Sequence, residues 1–288
     1  MIMVGVQEGV QRLLRVQHDQ EYEAILHWLT PIDYASQQSD FISRRQERTG
    51  LWLLNSDEFQ QWIKQPKRTL LCPGIPGAGK TILTSIVIDH LYELNHDNPT
   101  TGIAYIYFNF RQQHEQKSED LLSSLLKQLL WGQESIHESV KTLYERHRPN
   151  QTRPSLGEIG AVLRSVVINY SRTFIIIDAL DECQVSDENR TKFLSEISKL
   201  RLQTQANLFL TSRHIPEIEM EFEGSVSMEI RASSDDVRRY LEGHMSQLPS
   251  FISHKVDLQD EIVTEITQAA DGMYVPLEAL ELTKRINT

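Results

Sequence analysis

At 288 residues the chain can form one large domain or a core with small appendages. Apolar residues make up 40% and charged residues 24%, an ordinary globular composition that argues against a disordered chain. The net charge of −11, from 29 basic and 40 acidic residues, argues against a general nucleic-acid surface, because phosphate binding needs clustered Lys and Arg. The basic patches at 44–48 and 146–148 are interpreted as solvated faces rather than nucleic-acid contacts.

Cysteine usage and hydropathy indicate a cytoplasmic protein. Only two cysteines occur, Cys72 and Cys183, and both lie beside apolar runs, which predicts buried thiols in a reducing compartment rather than a disulfide framework. Residues 1–10 are interrupted by Gln7 and Glu8, so a signal peptide is not expected, and no run reaches membrane-spanning length. We expect no membrane partner.

The N-terminal third is predicted to precede the main core. Residues 1–30 form an N-terminal helical segment with one apolar face, which either packs on its own domain or binds a partner. Residues 31–67 are a linker, with a polar connector at 33–50 and a short helix that holds Phe59 and Trp62.

From residue 68 onward, short apolar runs alternate with longer amphipathic stretches. The pattern predicts strands at 69–72, 103–110, 173–178 and 207–211, with 226–230 as a fifth candidate. It predicts helices at 81–94, 119–130, 134–146, 156–169 and 188–200. This alternation predicts an α/β fold, an open parallel sheet flanked by helices on both faces, over residues 68–232. The motif described next makes this the core of a P-loop NTPase. Residues 233–288 are predicted to form a small helical subdomain.

A complete phosphate-binding motif, G-x-x-x-x-G-K-[ST], follows the first predicted strand and opens a helix. Its glycines let backbone N–H groups approach phosphate oxygens, and the helix N-terminus favours an anion. Lys80 is expected to contact the β and γ phosphates, and the Thr81 hydroxyl to bind magnesium. The predicted nucleotide-binding residues are Gly74, Ile75, Pro76, Gly77, Ala78, Gly79, Lys80 and Thr81.

Two further elements complete the predicted site. Asp178 ends an apolar strand and is expected to hold magnesium from a strand neighbouring the P-loop strand. After it, either Glu182 or Asp181 would polarise the attacking water, or both belong to a solvated turn. Arg213 follows the fourth strand, where it would read the γ-phosphate, since ligands bind at the carboxyl ends of parallel strands.

These elements resemble a known family. The chain is similar to the NACHT-type NTPases in the STAND branch of the AAA+-like P-loop ATPases, and more narrowly to the nephrocystin-3-like N-terminal module of fungal NOD-like receptor proteins. The likeness spans about residue 28 to Met273, and the small Ala179 followed by paired acids is what points to NACHT. Its carriers are residues 31–33, 43–46, 49–54, 59–62, 72–81, 121–129, 177–183, 211–213 and 271–273.

The resemblance implies ATP or ADP under the P-loop, Mg²⁺ through Thr81 and Asp178, and a sensor role for Arg213. It also implies a slow switch. The protein would be closed when ADP is bound, and it would be competent for self-association through the NACHT core when ATP is bound. In fungi the family is linked to heterokaryon incompatibility and innate-immune-like signalling. The family usually continues after Met273 with a winged-helix subdomain and sensor repeats, whereas this sequence ends in a charged tail. We therefore expect a NACHT core without sensor or effector, either a fragment or a reduced gene product.

Two function hypotheses stay open at this point. The first is a slow Mg-dependent ATPase switch, and the alternative is a nucleotide-binding scaffold with little or no hydrolysis. A small-molecule kinase is disfavoured because the sequence shows no arginine-rich lid or second-substrate signature. A classical GTPase is disfavoured because no Asn-Lys-x-Asp motif occurs.

Overall fold

The structure, a computed structural model, describes residues 20–109, 116–133, 135–183, 189–245, 256–269 and 273. The predictions for residues 1–19, for Phe110 and for the tail after Met273 lie outside the described residues, as do Asp271 and Gly272 of the last family motif.

The centre of the molecule is a five-stranded, fully parallel sheet with the order β2-β3-β4-β1-β5. This confirms the predicted α/β fold. β1, β3 and β4 are almost completely buried, as their continuous apolar runs predict. The strands are β1 (Thr69–Pro73), β2 (Thr101–Tyr107), β3 (Arg172–Asp178), β4 (Asn207–Ser212) and β5 (Val226–Ser227).

The lateral order of the strands corrects one expectation. Asp178 does not end a neighbour of the P-loop strand, because β4 lies between β1 and β3. Apolar runs identify buried strands but not which strands pair, and β4 is buried against both of its partners. Two side chains that face each other across this gap must therefore reach over the end of β4.

Helices cover both faces of the sheet, and most lie within a few residues of their predicted bounds. β2 ends at Tyr107 rather than Phe110, and the helix expected from residue 134 begins at Glu138. The helices are α1 (residues 20–29), α2 (Ala35–Ser43), α3 (Leu51–Leu54), α4 (Asp57–Lys64), α5 (Lys80–Asn95), α6 (Ser118–Leu130), α7 (Glu138–His147), α8 (Leu156–Ile168), α9 (Asn189–Gln203), α10 (Pro216–Glu221), α11 (Ser234–His244) and α12 (Val256–Ala269).

Three helices were not predicted. α2 lies inside the expected polar connector, the short α3 precedes the predicted helix that holds Phe59 and Trp62, and α10 follows β4. The buried residue of α2 is Gln38, so the helix is anchored by a polar side chain and shows no apolar stripe that periodicity could detect.

The described part of the N-terminal segment packs on its own domain. Ile25, Leu26 and Leu29 are fully buried in the main core, and the Trp28 ring lies 5.1 Å from that of Tyr144. For residues 20–29, the interpretation as a domain-packing helix is therefore confirmed.

α11 and α12 pack on each other around a separate small core of Val237, Leu241, Met245 and Val263. The buried Asp236 carboxylate joins this pair to the main core by accepting a hydrogen bond from the Gly50 amide at 2.9 Å. Cys72 and Cys183 are buried free thiols, as predicted. Across the described residues, no helix has the length and apolarity needed to cross a membrane.

Candidate nucleotide site

The turn between β1 and α5 is shaped by its glycines. Gly77 and Gly79 have φ angles of 78° and 88°, in the left-handed region that side-chain-bearing residues rarely adopt, and Gly79 caps α5. Gly74 is needed for a different reason, since a Cβ there would lie 2.5 Å from the Ile230 carbonyl oxygen. The turn thus combines special backbone angles with close backbone packing against the chain that follows β5.

Lys80 is the first residue of α5, and its side chain folds back over the turn. Its ammonium donates to the carbonyl oxygens of Gly74 at 2.7 Å and Ile75 at 2.9 Å. Partial burial lowers the pKa of Lys80, an effect opposed by the nearby Asp181 and Asp178 carboxylates. The loop therefore holds a positive charge above its own backbone.

Asp178, at the end of β3, is the most buried acid of the site, with an exposed fraction of 1%. Three hydroxyls donate to its carboxylate: Thr81 at 2.7 Å to Oδ2, and Thr84 at 2.8 Å and Thr211 at 2.7 Å to Oδ1. Burial raises the pKa of Asp178, and the three hydroxyls oppose that rise. Both carboxylate oxygens are thus fixed across the end of β4.

The chain turns sharply immediately after Asp178. Ala179 has a φ of 53°, which is strained for a residue with a side chain and costs least when that side chain is small. Its amide donates to the Thr211 hydroxyl at 2.9 Å, and a short 3₁₀ turn, Leu180–Glu182, follows. The small residue allows this turn, and the turn carries the two acids that follow to the carboxyl edge of the sheet. This is the structural meaning of the small residue and paired acids in the sequence pattern.

Asp181 and Arg213 form an ion pair at that edge. The Asp181 side chain is 3% exposed and accepts from the Arg213 Nε at 2.6 Å and from the Arg213 amide at 2.9 Å. Hydrogen bonding and charge attraction by Asp181 raise the pKa of Arg213. Arg213 donates to both oxygens of Asp181, so this carboxylate is placed to orient the arginine.

The predicted residues converge on one point. Besides burial, which lowers the pKa of Lys80, the nearby charges of Asp181, Asp178, Arg213 and Glu182 act on this group. Residues from the P-loop, β3 and β4 therefore share one electrostatic environment, although β1 and β3 are not adjacent.

Glu182 lines an open cleft of about 630 Å³ that also contacts Thr81 and Asp178. The end of β2 and one face of α2 form its other walls. The cleft therefore lies beside the magnesium-binding candidates, and its volume is large enough to hold water molecules.

The donor set fits a magnesium ion. Hydroxyl and carboxylate oxygens are the ligands that Mg²⁺ prefers. The Thr81 hydroxyl oxygen and the Asp178 Oδ2 atom lie 2.7 Å from each other and supply one of each. The Thr81 hydroxyl donates its proton to Asp178, so its lone pairs are directed elsewhere and can face a cation. A nearby cation would also offset the cost of burying the Asp178 charge.

Two site residues were missed from the sequence. Thr84 and Thr211 both hold Asp178, and Thr211 also accepts from the Ala179 amide. Thr84 follows Thr81 by one helical turn, a spacing that could have suggested a shared face. Thr211 lies in the segment 211–213 that carries the family resemblance, but its partner depends on the position of β4 between β1 and β3.

Comparisons with solved structures found similar chains at low identity. The ORC1 protein of Aeropyrum pernix, solved in complex with DNA, is 17% identical with a TM-score of 0.45, over 72% of this chain and 51% of that one. Domain III of the Thermotoga maritima replication initiation protein DnaA is 12% identical, with a TM-score of 0.45 and 85% of each chain covered. The Walker-type ATPase PABY2304 of Pyrococcus abyssi is 14% identical with a TM-score of 0.47, over 80% of this chain and 64% of that one.

This chain thus spans about half the length of the Aeropyrum protein. No curated protein sequence matches it significantly. A family model does match: the model described as nephrocystin 3, N-terminal, aligns with residues 48–213, which include every residue of the predicted site. Because that match covers more than half of the sequence, the chain belongs to the nephrocystin 3 N-terminal family.

Proposed function

We propose that the chain is an ATP- and ADP-binding module of NACHT type that hydrolyses ATP slowly and uses its nucleotide state as a switch. The observation that carries this proposal is a set of contacts at the carboxyl edge of the sheet: Thr81, next to Lys80, and Thr211 both donate to Asp178, and Asp181 pairs with Arg213. Charged groups from three separate elements gather at the carboxyl edge of the sheet, beside a glycine turn whose backbone suits a polyphosphate.

The P-loop turn supplies recognition of the phosphates. The amides at the start of α5 and the helix dipole favour an anion there. Lys80 adds a point charge, and only two of its three ammonium donors are occupied by the carbonyls of Gly74 and Ile75. These features suit the phosphates of a nucleoside diphosphate as well as those of a triphosphate. They do not select a base, so adenine is expected only from the family resemblance.

Thr81 and Asp178 would hold magnesium, which supplies charge neutralisation on the phosphate oxygens when it is bound. The chain's own contribution is to keep this pair rigid. Thr84 and Thr211 fix the second oxygen of Asp178, so its carboxylate cannot rotate away from Thr81.

Glu182 is proposed to accept a proton from the attacking water. The water oxygen forms a bond to the terminal phosphorus while the bond from that phosphorus to the bridging oxygen of ADP breaks. The products are ADP and inorganic phosphate, and the proton on Glu182 returns to solvent or phosphate.

Arg213 is proposed as the group that distinguishes ATP from ADP. It lies at the end of β4, and its guanidinium is 52% exposed while Asp181 orients it. A terminal phosphate would give this arginine a second anionic partner, and loss of the phosphate would return it to Asp181 alone. Such a change fits a switch that governs self-association, as in the NACHT proteins of fungal NOD-like receptors, with heterokaryon incompatibility or innate-immune signalling as the proposed setting.

Identification of the nucleotide that co-purifies with the protein, by mass spectrometry, tests the binding site. We expect ADP or ATP with the wild type and none with Lys80→Ala. Lys64→Ala, an exposed change on α4, is the control and should retain the nucleotide. Retained affinity in Lys80→Ala, with unchanged folding, would contradict the site.

Phosphate release from the wild type and Glu182→Gln separates the switch from the scaffold. The proposal requires slow release that drops at least tenfold in the variant while nucleotide binding persists. If both proteins bind nucleotide and neither releases phosphate, the scaffold hypothesis holds instead.

A further inference from the structure

One face of α2, with Arg44 directly after it, forms a wall of the cleft that the catalytic candidates also line. Gln37, Asp40, Phe41 and Arg44 line this cleft together with Thr81, Asp178 and Glu182. Three of these residues lie in α2 and Arg44 is its C-cap, and the four positions follow the i, i+3, i+4, i+7 spacing of a single helix face. This face includes the first arginine of the basic patch at 44–48, which the proposed mechanism does not use.

α2 is fixed to the same elements that carry the site. The buried Gln38 amide donates to the Ser85 carbonyl of α5 at 3.0 Å, and the Tyr107 hydroxyl donates to Gln38. The Phe41 ring lies 4.8 Å from the Tyr107 ring. Tyr107 in turn pairs with Asp178 in the β2–β3 register, so the position of the α2 wall is set relative to Asp178.

The charges around the cleft are unequal. Among the lining residues that the structure describes, three are acids, Asp40, Asp178 and Glu182, and the single cationic side chain is that of Arg44. Asp40 holds this guanidinium through its Nε at 3.2 Å and Nη2 at 2.5 Å. Because the two side chains are 63% and 49% exposed, water screens the pair and the arginine can exchange partners at little cost.

We propose that Arg44 contacts the terminal phosphate of ATP, as an arginine supplied by the chain itself from the α2 wall of the cleft. A guanidinium matches phosphate with two parallel hydrogen bonds, and the more negative phosphate displaces the exposed Asp40 carboxylate. Asp40 is then a positioning residue that keeps the guanidinium on the cleft face. This inference rests on the proposed nucleotide site, and it assigns that site a phosphate-binding residue that lies before the family-matched segment.

The test compares wild type, Arg44→Gln and Arg146→Gln. Arg146 is the matched control, since its side chain is 61% exposed and pairs with Glu158 on a part of the surface that does not line the cleft. Affinities for ADP and for a non-hydrolysable ATP analogue, each with Mg²⁺, are measured by calorimetry, and the unfolding temperature of each protein is recorded without nucleotide.

We expect Arg44→Gln to bind the ATP analogue about tenfold more weakly and to bind ADP like the wild type. Arg146→Gln should match the wild type with both ligands, and Arg44→Lys should recover part of the loss because it keeps the charge without the planar fork. An unchanged preference for the ATP analogue in Arg44→Gln would overturn the inference. Equal loss of both ligands with a lowered unfolding temperature would also overturn it, by showing a structural role. If the wild type bound neither ligand, the proposed nucleotide site would fail as well.

Discussion

Asp178 and Asp181 lie at the same end of β3, yet their surroundings are opposite. Asp178 is buried among three neutral hydroxyls, and burial raises its pKa. Asp181 is as well covered, but it already has a cation, because Arg213 donates to both of its oxygens. One carboxylate therefore lacks a full counter-charge and the other has one.

This difference separates two functions that the sequence alone could not separate. A buried carboxylate held by neutral donors gains most from an additional cation, as a metal-binding residue should. A carboxylate that is saturated by an arginine gains little from a metal and instead orients its partner. The contrast supports magnesium binding at Asp178 and arginine positioning at Asp181.

The largest effect is expected from replacing Asp178 with alanine, and the same replacement at Asp181, made in a separate variant, is the comparison. Asp178→Ala should remove the Mg²⁺ dependence of ATP affinity and weaken binding by about 10- to 100-fold. Asp181→Ala should preserve the Mg²⁺ dependence, since its partner is Arg213. Titrations with and without chelator measure both variants. A chelator effect that survived in Asp178→Ala, or vanished in Asp181→Ala, would reverse the assignment.

Thr211→Val tests how much the hydroxyl network around Asp178 contributes to the fold. This nearly isosteric change leaves the Ala179 amide without its acceptor and Asp178 without one donor. We expect a loss of about 2 kcal/mol in the free energy of unfolding, measured by denaturant titration.

Thr173→Val is the control for that change. Its buried hydroxyl, on β3, has no hydrogen-bond partner among the described residues, so the variant should be neutral or stabilising. Equal losses in the two variants would show that burial of the methyl and hydroxyl groups, rather than the Asp178 network, decides the cost.

The parts of the site that the sequence predicts are those that depend on local spacing. The glycines and Lys80 occur within one turn, Asp178 ends an apolar strand and Arg213 directly follows another, so pattern and strand polarity place them at one edge. The family match over residues 48–213 includes all of them.

The parts that the sequence could not supply depend on long-range polar contacts. Gln38 holds α2 through Ser85 and Tyr107, and no hydrophobic periodicity accompanies such an anchor. The ion pair between Asp181 and Arg213 needs the turn at Ala179 and the position of β4, neither of which is encoded in the spacing of the two residues. Which polar side chains pair depends on the folded geometry, whereas an apolar helix or strand face can be recognised from the spacing of residues in the sequence.

A smaller effect is expected from breaking the Asp181–Arg213 pair. Arg213→Ala should reduce the preference for an ATP analogue over ADP by about tenfold, because one phosphate contact is lost. Asp181→Asn keeps the arginine but loosens it, so the reduction should be smaller. Because the Asp181 side chain is only 3% exposed, Arg213→Ala leaves a buried carboxylate without its counter-charge and should lose more stability than Asp181→Asn. The double variant should match Arg213→Ala if Asp181 acts only through the arginine, and an additive loss would contradict that role.

The smallest effect concerns pH, and it sharpens the same contrast. The pKa of Asp178 is raised in the folded protein, so between its ordinary value of 3.8 and the raised value the folded state binds more protons than the unfolded state. Stability from this group is therefore present at low pH and is lost as pH rises through that window. Asp178→Asn cannot titrate, so its unfolding temperature should rise relative to wild type as pH increases, when both are measured without nucleotide or Mg²⁺.

Comparing the two proteins at each pH removes the contribution of other groups. For example, hydrogen bonds from Ser155 lower the pKa of Glu158 to about 2. Stability contributed by Glu158 is therefore lost as pH falls, which is the opposite pH dependence, but the loss is equal in both proteins. Addition of Mg²⁺ and ATP should close the gap at neutral pH, because a bound cation stabilises the ionised carboxylate of wild type and has no such partner in the variant. A gap that did not change with pH would show that hydroxyl donors alone offset the burial of Asp178, and the reason to place a metal there rather than at Asp181 would be lost.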